Sequence, residues 1–152
     1  IDNGLPTYAE CGGLMYLARS IQWKQENSDE TRQMVGAVDA DIVMEKTPQG
    51  RGYVQLEETD NSLWPQLNNQ TGSTSTGRLI NAHEFHYSRF KTVDKNVQFA
   101  FHVKRGTGID GKSDGYIYKN LLANYTHQRN TRNNPWVQRF INFARNHKRQ
   151  TR

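Results

Sequence analysis

The hydrophobic pattern at the start of the chain predicts a strand that runs into a helix. Residues Leu5 to Glu10 form a short strand candidate, which leads directly into Cys11 and two glycines. Beyond the glycines, apolar residues recur at the i, i+3, i+4, i+7 spacing of an amphipathic helix: Leu14, Leu17, Ala18 and Ile21. The polar stretch Lys24 to Gln33 is expected to be a solvated loop or a helix end.

The middle of the chain is typical of strands. Val97 to Lys104 alternates most strictly, and shorter runs favour strands around Met34–Val38, Ile42–Met44, Gly52–Leu56, Leu79–Phe90 and Tyr116–Tyr118. Between them, Asn61 to Gly77 is polar and low in complexity, so we expect a long loop there.

A helix is predicted at the end of the chain. Asn134 is placed to cap it and Pro135 to occupy its first position. The stripe expected to be buried consists of Val137, Phe140, Ile141 and Ala144. A strand–helix start, strands in the middle and a helix at the end together indicate a mixed α/β domain.

Composition narrows the protein class. With 152 residues the chain has the length of about one domain. Seven Tyr, six Phe and three Trp are too many for a disordered segment, and no apolar run is long enough to span a membrane. The first residues lack the basic and apolar regions of a signal peptide. A single cysteine excludes a disulfide framework and a Cys-rich metal site within this chain, so a reducing cytoplasm is expected.

The net charge of +5 raises the alternative of nucleic-acid binding. Residues 129–152 contain seven Lys and Arg and no acidic residue. However, Trp136, Phe140 and Phe143 lie at helical spacing, which favours a place in the core over an exposed base-stacking surface. Neither nucleic acid nor a membrane is therefore a predicted partner.

The segment Ala9 to Gly13 carries the strongest chemical signal. A nucleophile at a sharp strand-to-helix turn, with small residues two positions before and after it, forms a nucleophile elbow. Cys11 would occupy that turn, where the helix dipole and free N–H groups favour its thiolate. The Gly12 N–H would face the oxyanion of a tetrahedral intermediate. The alternative is that Cys11 is a small buried hydrophobic residue beside a simple glycine turn.

A thiol nucleophile needs a base, and the histidines differ in how well their positions suit that role. His147 and His102 are predicted on the surface. His83 and His86 are three apart on one strand and therefore face opposite sides, which argues against a shared metal ion. His127 follows an apolar run and precedes a polar loop. From position alone, His127 and His86 remain equal candidates.

Four segments resemble the cobyrinic acid a,c-diamide synthase family, in its C-terminal class I glutamine amidotransferase domain: GLPTYAECGGLMYL, GYVQLEET, HEFHYSRF and RGTGIDGKSDGYIYKNLLANYTH. The similarity runs from Gly4 to the final helix. It implies a three-layer, flavodoxin-like α/β fold. It also implies glutamine hydrolysis, with ammonia passed to an ATP-dependent synthetase domain of the same protein that amidates tetrapyrrole carboxylates in cobalamin biosynthesis. A sirohydrochlorin- or sirohaem-amidating relative and a non-catalytic interaction module are the alternatives.

The resemblance implies roles for particular residues. Cys11 would be the nucleophile, Gly12 an oxyanion donor and His127 the base. Five further residues would line the site: Glu10, Gly13, Glu84, His86 and Tyr87. No cofactor or metal is expected in this chain, and ATP and magnesium would belong to the synthetase domain.

The sequence departs from the family pattern in two respects. Many class I amidotransferases carry a Glu two residues after the histidine, where this chain has Arg129, which cannot accept a hydrogen bond from imidazole. A Cys–His dyad, or an acid recruited from elsewhere such as Glu84, is the expected solution. The elbow also comes at residue 11, far earlier than in the family. Residues 1–152 are therefore expected to be a partial amidotransferase domain, without its first part and without the synthetase domain.

Overall fold

The computed structural model describes residues 1–24, 29–65 and 79–150 of the chain. Two helices are described, α1 (Gly12–Leu17) and α2 (Trp136–Gln150). The strands are β1 (Thr7–Glu10), β2 (Ala18–Lys24), β3 (Asp29–Gln33), β4 (Val38–Met44), β5 (Gly50–Glu58), β6 (Leu79–His86), β7 (Ser88–Phe90), β8 (Gln98–Arg105), β9 (Ser113–Tyr118), β10 (Leu121–Asn124) and β11 (His127–Gln128).

These strands form two mixed sheets. The larger has the order β1-β10-β9-β8-β5-β6-β11, and the smaller has the order β3-β2-β4-β7. Only β1 with β10 and β2 with β4 run parallel among the described strands. The parallel pairing typical of a flavodoxin-like fold is therefore limited to one pair of strands in each sheet.

The larger sheet curls back on itself. Strands β10 and β11 stand second and seventh in the order, which would separate them by about 24 Å in a flat sheet. Only Tyr125 and Thr126 connect them, a stretch that spans at most about 11 Å. The end of β11 therefore lies next to the end of β1, and Gln128 N–H donates to the Glu10 carboxylate at 2.8 Å.

The prediction for the first helix is correct in its first half and wrong in its second. Leu14 and Leu17 are buried on α1, but the helix ends at Leu17. Ala18 and Ile21 are buried from strand β2, which pairs on both sides. Apolar spacing cannot distinguish a helix from a buried strand over so few residues.

Most other predicted strands are confirmed, with shifted ends. Of the stretch expected as a loop or helix end, residues 29–33 form β3 instead, and residues 25–28 lie outside the described part. Met34 to Ala37 precede β4 and are not in a strand. Residues 66–77 of the predicted long loop also lie outside the described residues.

The C-terminal helix is confirmed, and its buried face differs from the predicted one at two positions. Arg139 is 1% exposed, and its guanidinium pairs with Glu58 at 2.7 Å and donates to the carbonyls of Trp64 and Pro65. Ile141 is instead 37% exposed. The apolar pattern does not include Arg139 in the buried stripe, because its buried partner Glu58 is 81 residues away in the sequence.

The start of this helix also differs from the prediction. Asn134 does not cap it, because its side chain donates to Gln128 at 3.0 Å. Instead the side-chain oxygen of Asn130 accepts from the Val137 N–H at 3.3 Å.

Two apolar clusters hold the described parts together. One packs α1 and β2 against β4 and β10, around Leu14, Ile42 and Tyr125. The other is covered by the half-buried rings of Trp136, Phe140 and Phe143 from α2, which confirms that these rings pack on the core. Within the described ranges, no helix combines the length and apolarity that crossing a membrane requires.

Candidate functional site

Cys11 occupies the turn between β1 and α1 in a strained backbone conformation. Its φ is 46° and its ψ is −101°, a region that residues other than glycine seldom adopt. Hydrogen bonds hold the turn on both sides: the Cys11 N–H donates to Asn124 O at 2.8 Å, and Cys11 O accepts from Met15 N–H at 3.0 Å. Strain at a single residue that its surroundings enforce is typical of functional sites.

The small residues around Cys11 allow the helix to approach the strand. A Cβ atom on Gly13 would lie 3.3 Å from the Cβ of Ala9, closer than such atoms normally come. A Cβ atom on Gly12 would meet nothing within 4 Å. The small residues two positions before and after Cys11 therefore allow the close approach that a nucleophile elbow requires.

The thiol of Cys11 is half-buried and lies over the end of β6. Its sulfur is 4.0 Å from Phe85 O. Burial raises the pKa of this thiol, the nearby carboxylates of Glu10 and Asp114 add to the rise, and the hydrogen bond from the Gly12 backbone opposes it. The expectation that the free N–H groups at the start of the helix favour the thiolate is wrong for the resting site, because burial outweighs the hydrogen bond from Gly12.

His127 contacts Glu10, the residue directly before the cysteine. His127 Nδ1 lies 3.4 Å from Glu10 Oε2. The other carboxylate oxygen of Glu10 accepts from the Tyr8 hydroxyl at 2.5 Å and from the Gln128 N–H at 2.8 Å. Glu10 is thus fixed by three partners, and one of them is the candidate base.

A buried carboxylate fixes the segment that carries His127. Asp114 is fully buried and accepts hydrogen bonds from the N–H groups of Tyr125 and Thr126, each at 3.0 Å, and from the Thr126 hydroxyl at 2.7 Å. Burial raises the pKa of Asp114, while these hydrogen bonds oppose the rise. The two-residue link between β10 and β11 therefore has a defined conformation, and with it the position of His127.

His83 and Glu84 lie on opposite faces of β6, and only His83 contacts His127. The imidazole rings of His83 and His127 are stacked, with centroids 5.0 Å apart and planes 15° from parallel. Glu84 is buried and accepts from the backbone N–H groups of Thr107 at 2.7 Å and Gly108 at 2.9 Å. The contact with His127 that was expected of Glu84 is made by Glu10 instead.

His86 is buried within the fold. Its ring lies flat against Tyr125 at 4.0 Å, its Nδ1 is 2.8 Å from Ser88 O, and its Nε2 is 3.6 Å from Glu84 Oε2. Burial opposes ionisation of Glu84, but the nearby imidazole of His86 and the hydrogen bonds from the backbone N–H groups of Gly108 and Thr107 outweigh it and lower the pKa of this carboxyl. These buried contacts favour a structural role for His86. His127 is then the candidate base, because it contacts Glu10 at the turn that carries Cys11.

Two further residues named from the sequence, Tyr87 and Arg129, are exposed. Tyr87 is 38% exposed and meets Phe85 edge to face at 5.6 Å. Arg129 lines an open cleft of about 680 Å³, together with His83 and Tyr53. Over residues 1–24, 29–65 and 79–150, no group of three or more His, Cys, Asp or Glu side chains could hold a metal ion.

Sequence reasoning missed Asp114, His83 and Tyr8. Asp114 lies 12 residues before Thr126, in a strand that the pattern placed only from residue 116 onward. The odd–even alternation of β6 put His83 and His86 on opposite faces, which is confirmed, but it could not show which face His127 would meet.

Known proteins match this chain over most of its length. Residues 1–135 match the model of the CobB/CobQ-like glutamine amidotransferase domain. A cobyrinate a,c-diamide synthase from Magnetococcus marinus is 38% identical over 83% of this chain and 24% of its own length. One from Archaeoglobus fulgidus is 36% identical over 94% of this chain and 28% of its own length. The chain therefore spans roughly a quarter of these relatives.

A solved structure agrees with the family match at the level of fold. A Thermoplasma acidophilum protein described as a component of GMP synthase superposes with a TM-score of 0.54 at 15% identity, covering 99% of this chain and 62% of that chain. The fold is thus a mixed α/β fold of the class I glutamine amidotransferase type. By the match over residues 1–135, the chain belongs to the family of CobB/CobQ-like glutamine amidotransferase domains.

Proposed function

We propose that this chain is the glutamine-hydrolysing part of an enzyme that amidates carboxylates, with Cys11 as nucleophile and His127 as its base. One observation carries the proposal. Glu10 and Cys11 are adjacent at the end of β1, and Glu10 contacts the imidazole of His127 from the far end of the same curled sheet. A strained cysteine and a histidine oriented by an acid form the arrangement used in nucleophilic amide hydrolysis.

The first half of the reaction forms a thioester. His127 takes the proton of Cys11, and the sulfur attacks the side-chain amide carbon of glutamine. The Gly12 N–H stabilises the developing oxyanion. When the C–N bond breaks, the proton on His127 passes to the departing ammonia and a γ-glutamyl thioester remains.

The second half regenerates the thiol. His127 accepts a proton from water, which attacks the thioester carbon, and the C–S bond breaks as the sulfur regains a proton. Glutamate leaves. Because burial raises the pKa of the resting thiol, Cys11 needs a base to form its thiolate near neutral pH, and His127 supplies that base in this proposal.

The acid that orients His127 is Glu10 in this proposal. Its carboxylate is held by Tyr8 and Gln128, so it presents one oxygen to Nδ1 and leaves Nε2 for proton transfer. This arrangement replaces the acid that many class I amidotransferases carry two residues after the histidine, where Arg129 stands here.

The ammonia acceptor is proposed from the relatives. Those relatives are named for the a,c-diamidation of cobyrinate, so the acceptor is a tetrapyrrole carboxylate, activated with ATP and magnesium by a synthetase domain of the same protein. Coverage of only 24% and 28% of the relatives supports the view that residues 1–152 are a partial amidotransferase domain. A reducing cytoplasm suits the free thiol of Cys11.

The proposal is tested in the full-length protein by measuring glutamate release and amidation separately. Cys11→Ser and His127→Ala should each lower glutamine-dependent turnover by at least about 10³-fold. Amidation supplied with free ammonium should continue, because the synthetase step needs no thiol. His102→Ala, at an exposed position of β8, is the matched control and should behave like the wild type. Glutamine-dependent turnover in Cys11→Ser would overturn the proposal.

A further inference from the structure

His83 makes a contact that the proposed reaction leaves unexplained. It lies directly opposite His127 in the antiparallel pairing of β6 with β11, and the two imidazoles stack at 5.0 Å and 15°. The side chain of His83 belongs to the exposed face of β6, so burial of apolar surface does not account for the contact.

His127 has few other restraints on its ring. Its side chain is 34% exposed, and strand β11 is only two residues long. The Glu10 contact fixes one ring nitrogen at 3.4 Å but leaves the ring free to tilt about that contact. The terminal torsion of a histidine side chain is broad, so a second contact is needed to define the plane of the ring.

We propose that His83 is a positioning residue for His127, its flat ring supporting one face of the base while Glu10 fixes Nδ1. The inference rests on the proposed function of His127. Parallel stacking restricts the tilt of the imidazole and so keeps Nε2 available for proton transfer. Stacking of this kind requires a planar side chain at position 83. It does not require the ring nitrogens of His83.

Substitutions at His83 distinguish a planar support from a merely structural residue. In the full-length protein, His83→Ala and His83→Gln should lower the kcat for glutamine hydrolysis by roughly threefold to tenfold, the usual contribution of an aromatic pair, with KM for glutamine unchanged. His83→Phe retains a flat ring and should recover kcat to within about twofold of wild type. Asn81→Ala, two residues away on the same exposed face, is the matched control and should leave both constants unchanged.

The outcomes separate this inference from the function on which it rests. His127→Ala, measured in parallel, should abolish turnover. Normal kcat in His83→Ala with an inactive His127→Ala would overturn the positioning role alone, and so would a His83→Phe variant as slow as His83→Ala. Activity in His127→Ala would overturn both. A rise in KM without a change in kcat would assign His83 to glutamine binding and also contradict the inference.

Discussion

Glu10 Oε2 lies 3.4 Å from His127 Nδ1, so the residue before the cysteine contacts the candidate base 117 positions later. The contact exists because the larger sheet curls until β11 meets the end of β1. Cys11 and the carboxylate that contacts His127, Glu10, are therefore consecutive residues. A change in the position of β1 would move both together.

Replacement of Glu10 by Gln tests this contact. The amide keeps an oxygen for Tyr8 and Gln128 but presents an NH₂ group to His127 Nδ1, which cannot then donate. We expect glutamine hydrolysis to fall by roughly a hundredfold, the scale of general acid–base assistance, while glutamine affinity changes little. Steady-state kinetics measure this effect. Glu45→Gln, which alters a carboxylate paired with Lys24 and Arg89, is the control, and an equal loss there would refute the assignment.

Gly13→Val tests the close approach of α1 to β1. The branched side chain would press on the Ala9 Cβ, which lies 3.3 Å from the position that the valine Cβ would take. We expect a destabilisation of about 1–3 kcal/mol, as for overpacking in a core. Chemical denaturation measures the free energy of unfolding. Gly12→Ala, where a Cβ meets open space, should change that free energy far less; equal losses would contradict the steric account.

Asp114→Asn tests the anchor of the His127 segment. An asparagine has one acceptor oxygen, whereas three donors from Tyr125 and Thr126 converge on the two oxygens of Asp114. A buried donor left without a partner costs about 1–3 kcal/mol. We therefore expect lower stability together with reduced kcat. Hydrogen exchange of the Tyr125 and Thr126 amides should accelerate, and unchanged protection would show that the carboxylate is dispensable.

The raised pKa of Cys11 predicts how the resting thiol reacts with a simple alkylating agent. Only the thiolate reacts, so a pKa above the ordinary value makes alkylation by iodoacetamide slow near neutral pH. The rate should rise with pH, with a midpoint above that of an unperturbed cysteine thiol. Alkylation rates measured by mass spectrometry from about pH 6 to about pH 10 test this prediction. A midpoint below the ordinary pKa of a cysteine thiol would mean that the N–H groups at the start of α1 outweigh burial.

The sequence was most informative where the chemistry is local. The turn around Cys11, the small residues that flank it and the face alternation of His83 and His86 depend on neighbouring residues, and the structure agrees with them. The buried Arg139–Glu58 pair and the Glu10–His127 contact join residues 81 and 117 positions apart, so no local pattern indicates them. The short α1 shows the same limit, because strand pairing by β2 overrode a helical spacing.

The most direct test of the central claim is the site of covalent capture by a glutamine analogue. The full-length protein is treated with a diazo-ketone analogue of glutamine, digested and mapped by mass spectrometry. The account predicts one adduct, on Cys11, whose formation is slowed by excess glutamine and lost in His127→Ala. An adduct on another residue, or capture at Cys11 that neither glutamine nor loss of His127 affects, would contradict it.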